Sequence, residues 1–386
     1  MGLCLCFFYL SFGTITRNLV IERPQRLVCY YQDDGLELRL LDVPGDLCTH
    51  INIGVASLNN LTLALPPSLQ KVLQDELPIY HAANPHVKIL LWIGGADSGK
   101  EFADMVINHA RRKEFIRSLK AVMQKYRALD GIDLDWEFPS AYDKERQHFS
   151  QLLYEIRQEW NREHRSDRVL SVAVAAPEGI AFFAYNIREL NLYADYVSVM
   201  AYDFHFYTKD TPFTGLNAPL YARKNESSIM STFNINYTIH WWLRNGIEPN
   251  RLVVGLPTYG HSFTLVNPFN KRIGAPALGV GECGLGGFTT HSQTCDCGNR
   301  YLKPLYEYDE ETCSPILSAN QEWISYENEK SITCKAQFAK SLNIGGVMIY
   351  SLNSDDIKNS CSYIPKTHDN KPVFPLTQAV KAVISQ

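Results

Sequence analysis

Four acidic residues lie close together in the segment DGIDLDWE, at positions 130, 133, 135 and 137. Side chains alternate between the two faces of a β-strand, so Asp133, Asp135 and Glu137 share one face if this segment is extended. Carboxyl groups a few ångströms apart cannot all ionise, and the protons that they share raise at least one pKa. A glutamic acid that stays protonated near neutral pH can donate its proton to a leaving group. The pattern therefore predicts a general acid, and Glu137 is the candidate.

Eight apolar, strand-like segments recur along the chain, and the acidic segment is the fourth of them. Amphipathic segments typical of helices lie between most of them. This alternation is typical of parallel βα units, and eight such units predict an α/β protein with a TIM (β/α)8 barrel. The predicted strands are residues 27–31, 50–56, 87–95, 131–138, 170–176, 196–203, 252–260 and 345–352. The clearest predicted helices are residues 100–125, 144–164, 229–245, 327–342 and 374–384.

The acidic face of the fourth strand must point either into the barrel or toward the surrounding helices. Three carboxyl groups buried against helices without cations would be strongly unfavourable, so the inward face is predicted. Glu137 is then nearest the carboxyl end of the strand, where barrel enzymes carry out their chemistry. The alternative is an acidic strand without a function in an ordinary barrel.

A long segment rich in Gly, Pro, Thr and Cys separates the seventh predicted strand from the eighth. It is too long for a single helix, and barrel rims accommodate insertions of this kind. We therefore predict a barrel formed by residues 26–261 and 324–386. A small α+β insertion domain at residues 262–323 is predicted on its rim.

The N-terminus carries an apolar stretch at residues 3–13, too short to span a bilayer but of the length of a signal-peptide core. No Lys or Arg precedes it, and a buried first strand is the alternative. We interpret residues 1–18 as a signal peptide. Its removal takes away two of the ten cysteines and leaves eight, an even number that could all pair in disulfides. Three glycosylation sequons, at Asn60, Asn225 and Asn236, also favour an oxidising, glycosylating compartment. The chain is therefore predicted to be a secreted glycoprotein.

Composition and charge exclude several other classes of function. The net charge of −4 and the pI of about 6.3 indicate no phosphate-binding surface, so no nucleic-acid partner is predicted. No segment after the N-terminal stretch has the apolar length of a membrane span. The pair Cys295 and Cys297 lacks further ligands at a convincing spacing, so we predict neither a metal nor a cofactor.

The acidic segment and several other motifs resemble the family 18 glycoside hydrolases, which include chitinases and chitinase-like lectins. DGIDLDWE fits the DxxDxDxE signature of that family at every required position. The resemblance covers residues 26–386 and includes CYY near Cys29, LCTH at 47–50 and IGG at 93–95. It continues with MAYD at 200–203, PTYGHSF at 257–263 and GGVMIYSLNSDD at 345–356.

This resemblance implies a (β/α)8 fold and a retaining mechanism in which the N-acetyl group of the substrate attacks the anomeric carbon. Glu137 would protonate the glycosidic oxygen and later activate water. Asp135 would accept the acetamide N–H, Asp133 would hold a shared proton beneath it, and Tyr202 would donate its hydroxyl to the acetamide oxygen. The further residues that the resemblance implies for substrate binding are Asp203, Met200, Tyr350, Tyr31 and Tyr259.

The resemblance implies a disulfide between Cys29 and Cys48, which would join the first two strands. Cys361 is expected to pair with Cys295 or Cys297. The partners of Cys283, Cys313 and Cys334 stay open.

The chain departs from the family pattern in the aromatic lining of the cleft. Tyr350 stands where the family usually has Trp, Val55 where it has Phe, Ala96 where it has Trp, and Phe206 where it has Gly. Fewer rings would weaken stacking on sugars, although Phe206, Tyr207 or Trp92 could compensate. The expected partner is chitin or an oligosaccharide that contains N-acetylglucosamine, bound by a monomer. The alternative function is a chitinase-like lectin or signalling protein that binds glycans with little or no hydrolysis.

Overall fold

The structure, a computed structural model, describes residues 25–33, 38–142, 144–226, 229–361 and 373–385. The predicted signal peptide lies outside the described residues. The strands are β1 (Arg26–Gln32), β2 (His50–Asn59), β3 (Thr62–Ala64), β4 (Lys88–Gly95), β5 (Gly131–Trp136), β6 (Val169–Ala175), β7 (Tyr196–Met200), β8 (Leu252–Pro257), β9 (Tyr259–Leu265), β10 (Ala277–Val280), β11 (Phe288–Thr290), β12 (Leu305–Asp309), β13 (Ser314–Ala319), β14 (Glu322–Ser325) and β15 (Gly346–Tyr350). The α-helices are α1 (Pro67–Lys71), α2 (Leu77–Ala83), α3 (Gly99–Val106), α4 (His109–Lys125), α5 (Glu145–Arg162), α6 (Glu178–Ala184), α7 (Ile187–Tyr193), α8 (Ile235–Arg244), α9 (His291–Arg300), α10 (Glu329–Ser341) and α11 (Pro375–Ile384).

Eight parallel strands close into a barrel in the order β1, β2, β4, β5, β6, β7, β8 and β15, with β15 paired to β1. The predicted TIM barrel is confirmed, and each predicted strand overlaps one of these eight. Their continuous apolar character follows from burial on both faces, against the barrel interior and against the helices. The acidic strand β5 lies between β4 and β6, and its Asp133 is opposite Trp92 and Ser171.

The five predicted helical segments are all present, but residues 100–125 form two helices rather than one. The break lies at Asn108, whose side chain accepts a hydrogen bond from the backbone N–H of Arg111 and so caps α4. The prediction omitted α6, α7, α9 and the helical segment from α1 to α2. A π-helical turn at Val72–Glu76 joins α1 to α2. Helices α6, α7 and α9 are only seven to ten residues long, and such short elements give a weak 3.6-residue period. Between α1 and α2, the π-helical turn interrupts that period.

A separate antiparallel sheet contains β9 to β14 and therefore runs from Tyr259 to Ser325. It overlaps residues 262–323, and the division of the chain into a barrel and an insertion domain stays a prediction. Four disulfides occur among the described residues: Cys29–Cys48, Cys283–Cys297, Cys295–Cys361 and Cys313–Cys334. The Cys295–Cys361 bond joins α9 to the segment that follows β15.

The three sequons lie at different depths. Asn60 and Asn225 are exposed, whereas Asn236 is half-buried in the first turn of α8. Glycosylation at these sites stays a prediction. No helix among the described residues is both long and apolar enough to cross a membrane.

Candidate active site

The carboxyl groups of β5 lie inside the barrel, as the alternation of the strand predicts. Asp133 is fully buried, and its two oxygens accept hydrogen bonds of 2.5 Å from the hydroxyls of Tyr30 and Ser171. Asp135 is also buried, and its Oδ2 accepts a hydrogen bond of 2.9 Å from the indole N–H of Trp92. The other oxygen, Oδ1, has no hydrogen-bond partner among the described residues. A buried carboxylate oxygen without a donor is unfavourable, and this one is therefore ready to accept a hydrogen bond from a ligand.

Burial raises the pKa of each of the three carboxyl groups. The pKa of Asp133 rises to about 6, although the hydrogen bonds from Ser171 and Tyr30 oppose this rise. The pKa of Asp135 rises well above its ordinary value through burial and then through the charges of Glu137 and Asp133. Burial raises the pKa of Glu137 to about 7, and the carboxylates of Asp203 and Asp97 add to the rise. A carboxyl group of this kind is protonated in weakly acidic solution and can act as a general acid.

The end of β7 brings a tyrosine and a further carboxylate to the same site. Tyr202 lines the cleft with its ring stacked on that of Tyr350, at a centroid distance of 5.7 Å. Asp203 has a left-handed backbone with φ of 56°. Its Oδ1 accepts hydrogen bonds from the hydroxyl of Tyr259 (2.6 Å) and from the ring of His261 (2.7 Å). These two contacts hold the Asp203 carboxylate where its charge acts on Glu137.

A cleft of about 920 Å³ opens above these groups at the carboxyl ends of the barrel strands. Its volume is that of a site for a ligand of several rings. The lining includes seven residues that the sequence predicted for the site, whereas Asp133 lies beneath it. These seven residues are Asp135, Glu137, Met200, Tyr202, Asp203, Tyr259 and Tyr350.

Tyr31 is placed differently from its prediction. It is buried, its hydroxyl donates a hydrogen bond of 2.8 Å to the carbonyl of Leu38, and it does not line the cleft. Its neighbour Tyr30 points into the barrel and lines the cleft instead. Adjacent residues of a strand face opposite sides, so only one tyrosine of the CYY motif can face the interior.

The floor of the cleft is built from aromatic rings packed around Tyr350, with Trp92 edge to face and Tyr30 tilted against it. Tyr350 lies 5.9 Å from Trp92 and 5.5 Å from Tyr30 between ring centroids, and its hydroxyl accepts a hydrogen bond from Gln32. Val55 and Ala96 line the cleft at positions where aromatic rings were expected.

Two other rings supply part of the missing aromatic surface. Phe206, which is 46% exposed, lines the cleft beside the ring of His261. Phe288 lines it as well, stacked on Tyr259 at 4.5 Å, and sequence reasoning missed this residue. Tyr207 does not line the cleft, because its hydroxyl donates to the carbonyl of Leu278 in the antiparallel sheet.

We expect Tyr350→Trp to raise kcat/KM on longer N-acetylglucosamine oligomers by about threefold to tenfold. The larger ring would present more apolar area to a sugar than the tyrosine does. Steady-state kinetics on oligomers of increasing length provide the measurement. An unchanged kcat/KM would mean that Phe206 and Phe288 already provide the stacking surface.

One group of potential metal ligands occurs among the described residues, at His291, Cys295 and Cys361. Its ligand atoms lie within 4.8 Å of one another. The two cysteines form a disulfide with each other, so they offer no thiolate to a metal. This group lies outside the catalytic cleft, and none of its members lines it.

A TIM barrel with stacked carboxyl groups at its C-terminal mouth, one of them with a pKa near neutrality, has the arrangement of a glycoside hydrolase. The family model of the glycosyl hydrolases family 18 matches residues 26–355, and the chain belongs to this family.

Proteins similar to this chain in sequence or structure include chitinases and a pseudo-chitinase. The chain is 31% identical to mouse chitotriosidase-1 over 355 residues, which cover 87% of this chain and 74% of that protein. The structure of human YKL-39, a pseudo-chitinase with retained chitooligosaccharide binding, has a TM-score of 0.85 and 28% identity, covering 94% of this chain and 100% of the other. The group IV chitinase of Ostrinia furnacalis in complex with allosamidin has a TM-score of 0.84 and 28% identity, covering 94% and 99%.

Proposed function

We propose that the protein is a chitinase-type hydrolase that cleaves β-1,4-linked N-acetylglucosamine polymers or oligomers with retention of configuration. The observation that carries this proposal is the row of carboxyl groups formed by Asp133 and Asp135 on β5 and by Glu137 directly after it. It combines a raised pKa on Glu137 with a buried, unpartnered oxygen on Asp135 at the base of the cleft. A protein that only binds sugars has no need of a carboxyl group whose pKa is raised to near neutral pH.

In the first step, the protonated Glu137 donates its proton to the glycosidic oxygen, and the bond from that oxygen to the anomeric carbon breaks. The carbonyl oxygen of the substrate's own acetamide group attacks the anomeric carbon and forms an oxazolinium ion. Asp135 accepts the acetamide N–H through its free Oδ1 and stabilises the positive charge. Family 18 enzymes are among the exceptions to the scheme in which an enzyme carboxylate is the nucleophile.

Tyr202 orients the acetamide in this step. Burial raises the pKa of Tyr202 well above its ordinary value, so its hydroxyl stays protonated and can donate to the acetamide oxygen. In the second step, the ionised Glu137 takes a proton from water, which opens the oxazolinium ion from the face that the leaving group vacated. Attack on that face regenerates the original β configuration.

The pH dependence of the reaction follows from the state of Glu137. We expect kcat/KM for a fluorogenic chitobioside to fall as the pH rises through about 7, because the general acid loses its proton there. The measurement is kcat/KM between about pH 4 and about pH 9. A decline that begins near the ordinary glutamate pKa of 4.5 would contradict the protonated state that we assign to Glu137.

The second candidate function is a lectin that binds N-acetylglucosamine oligomers without cleaving them. The specific observation in its favour is the reduced aromatic lining at Val55 and Ala96, together with the similarity to a pseudo-chitinase. Release of reducing ends from chitotetraose distinguishes the two functions. Measurable release supports the hydrolase, whereas tight binding of chitotetraose without any release supports the lectin.

We further infer that the protein acts outside the cell. The four disulfides, the three sequons and the apolar N-terminal stretch support an oxidising, secretory route. Mass spectrometry of the protein from culture medium would identify the processed N-terminus and any occupied sequon.

A further inference from the structure

An exposed apolar surface leads away from the catalytic cleft along helix α6. Ile180 lines the cleft, and Phe183 follows it on the same face of the helix, three residues later. Phe182 and Phe183 are 56% and 52% exposed, with ring centroids 5.1 Å apart. We call Ile180, Phe182 and Phe183 the α6 ridge. Contiguous exposed rings are unfavourable in water unless a ligand or partner covers them.

The far end of the α6 ridge meets a second concave surface. The guanidinium of Arg146 donates a hydrogen bond of 3.3 Å to the carbonyl of Phe182. Arg146 also lines a groove of about 500 Å³ between α5 and α7, which we call the outer groove. The α6 ridge therefore lies between the catalytic cleft and the outer groove, which runs down the outside of the barrel between α5 and α7.

The lining of the outer groove has the chemistry of a carbohydrate site. Tyr154 and Tyr193 lie with their ring centroids 5.5 Å apart, while the amides of Gln147 and Asn186 make no side-chain hydrogen bond to another described residue. The outer groove holds one cationic residue, Arg146, and one acidic residue, Glu189. Balanced charge, paired tyrosines and free amides suit an uncharged polyhydroxylated ligand, whose ring faces stack on aromatics and whose hydroxyls bind polar groups.

We propose that the α6 ridge and the outer groove bind the part of an N-acetylglucosamine oligomer that extends beyond the catalytic cleft. Continuity with the cleft identifies the occupant, because a chain bound at Glu137 that leaves the cleft past Ile180 meets Phe183 next. The identity of the sugar rests on the proposed function, whereas the binding surface itself does not require hydrolysis. The α6 ridge then adds affinity for long oligomers and none for short ones.

Isothermal titration calorimetry in the Glu137→Gln background, where ligands stay intact, tests this surface. The double variant Phe182→Ser/Phe183→Ser should bind chitohexaose about tenfold more weakly than the parent, as expected for the loss of two stacking rings. Its affinity for chitobiose should change less than about twofold. The double variant Phe182→Trp/Phe183→Trp should retain the affinity for chitohexaose, because it keeps both rings.

Ile79→Ser is the matched control. Ile79 is 59% exposed on α2 and does not line the cleft. The substitution therefore removes a comparable exposed apolar side chain from a barrel helix at a distance from the proposed surface. This variant should bind both oligomers like the parent. Hydrolysis of a fluorogenic chitobioside by the Phe182→Ser/Phe183→Ser variant in the active background should match that of the wild type, which shows that the barrel is intact.

Three results would overturn the proposal. The first is an unchanged affinity of the serine variant for chitohexaose, and the second is the absence of chitohexaose binding by the parent. The third is a dimer in sedimentation analysis that dissociates in the serine variant, which would make the α6 ridge a self-association surface. Failure of the proposed function gives a different result, since chitobioside would then stay uncleaved by the wild type while oligomers still bind.

Discussion

Glu137→Gln should lower kcat for chitotetraose by about 10²-fold to 10⁴-fold while leaving the affinity for this oligomer nearly unchanged. Glutamine preserves the shape of the side chain but has no acidic proton to give to the glycosidic oxygen. The same substitution also removes the base that activates water in the second step. Steady-state hydrolysis and calorimetric binding, measured on the same preparations, provide both quantities.

Thermal unfolding is the control for this variant, because its stability should change in the opposite direction from its activity. The folded protein binds the Glu137 proton more tightly than the unfolded chain does, since burial raises the pKa to about 7 from an ordinary 4.5. The carboxylate therefore lowers the free energy of unfolding progressively as the pH rises from about 4.5 through about 7. Glutamine removes this penalty, so Tm at a pH of about 8 should equal or exceed that of the wild type. A variant that is inactive but has a lower Tm would indicate misfolding rather than the loss of an acid.

Asp135→Asn should lower kcat by about 10²-fold to 10³-fold, the loss typical of removing one charge-stabilising group. Asparagine is similar in size and can still pair with Trp92, but it carries no negative charge to stabilise the oxazolinium ion. Single-turnover kinetics on chitotetraose separate this effect from substrate binding, which should be little affected.

Asp130→Asn is the matched control for Asp135→Asn. Asp130 precedes the same strand, and its carboxylate accepts hydrogen bonds from Lys88 Nζ and the backbone N–H of Ile89 rather than facing the cleft. This substitution should lower Tm and leave kcat close to that of the wild type. Equal losses of kcat in the two variants would show that Asp135 acts through the stability of the strand and not on the substrate.

The barrel and its acidic ladder are the parts that the sequence predicts best. A parallel strand is buried on both faces and has a continuous apolar sequence, so three carboxyl groups at every second position from Asp133 to Glu137 stand out. Alternation also places them on one side, which is why burial of Asp133 and Asp135 inside the barrel could be predicted.

Other parts of the site depend on contacts that no local pattern contains. The resemblance to the family implied Tyr31 for substrate binding, but the structure places the ring of Tyr30 in the cleft and that of Tyr31 against Leu38. Phe288 reaches the cleft from β11, far along the chain, by stacking on Tyr259. The α6 ridge lies on a seven-residue helix that is too short for a clear amphipathic period.

The disulfide pairs, too, could be predicted from the sequence only in part. The resemblance to the family implied the pair Cys29–Cys48, which the structure contains, and left two partners open for Cys361. Cys295 is its partner, while Cys297, two residues later on α9, bonds to Cys283. Residues two apart on a helix point in different directions, so the fold around α9 and not the spacing decides each pairing.

Proton NMR of the first product released from chitotetraose tests substrate-assisted cleavage most directly. The β anomer of the new reducing end should appear first and then equilibrate to the mixture of anomers, and an oligomer without the N-acetyl group at the cleavage site should stay intact. Initial release of the α anomer would contradict the retaining mechanism. Equal cleavage of the de-N-acetylated oligomer would contradict the role of the acetamide and, with it, the role of Asp135.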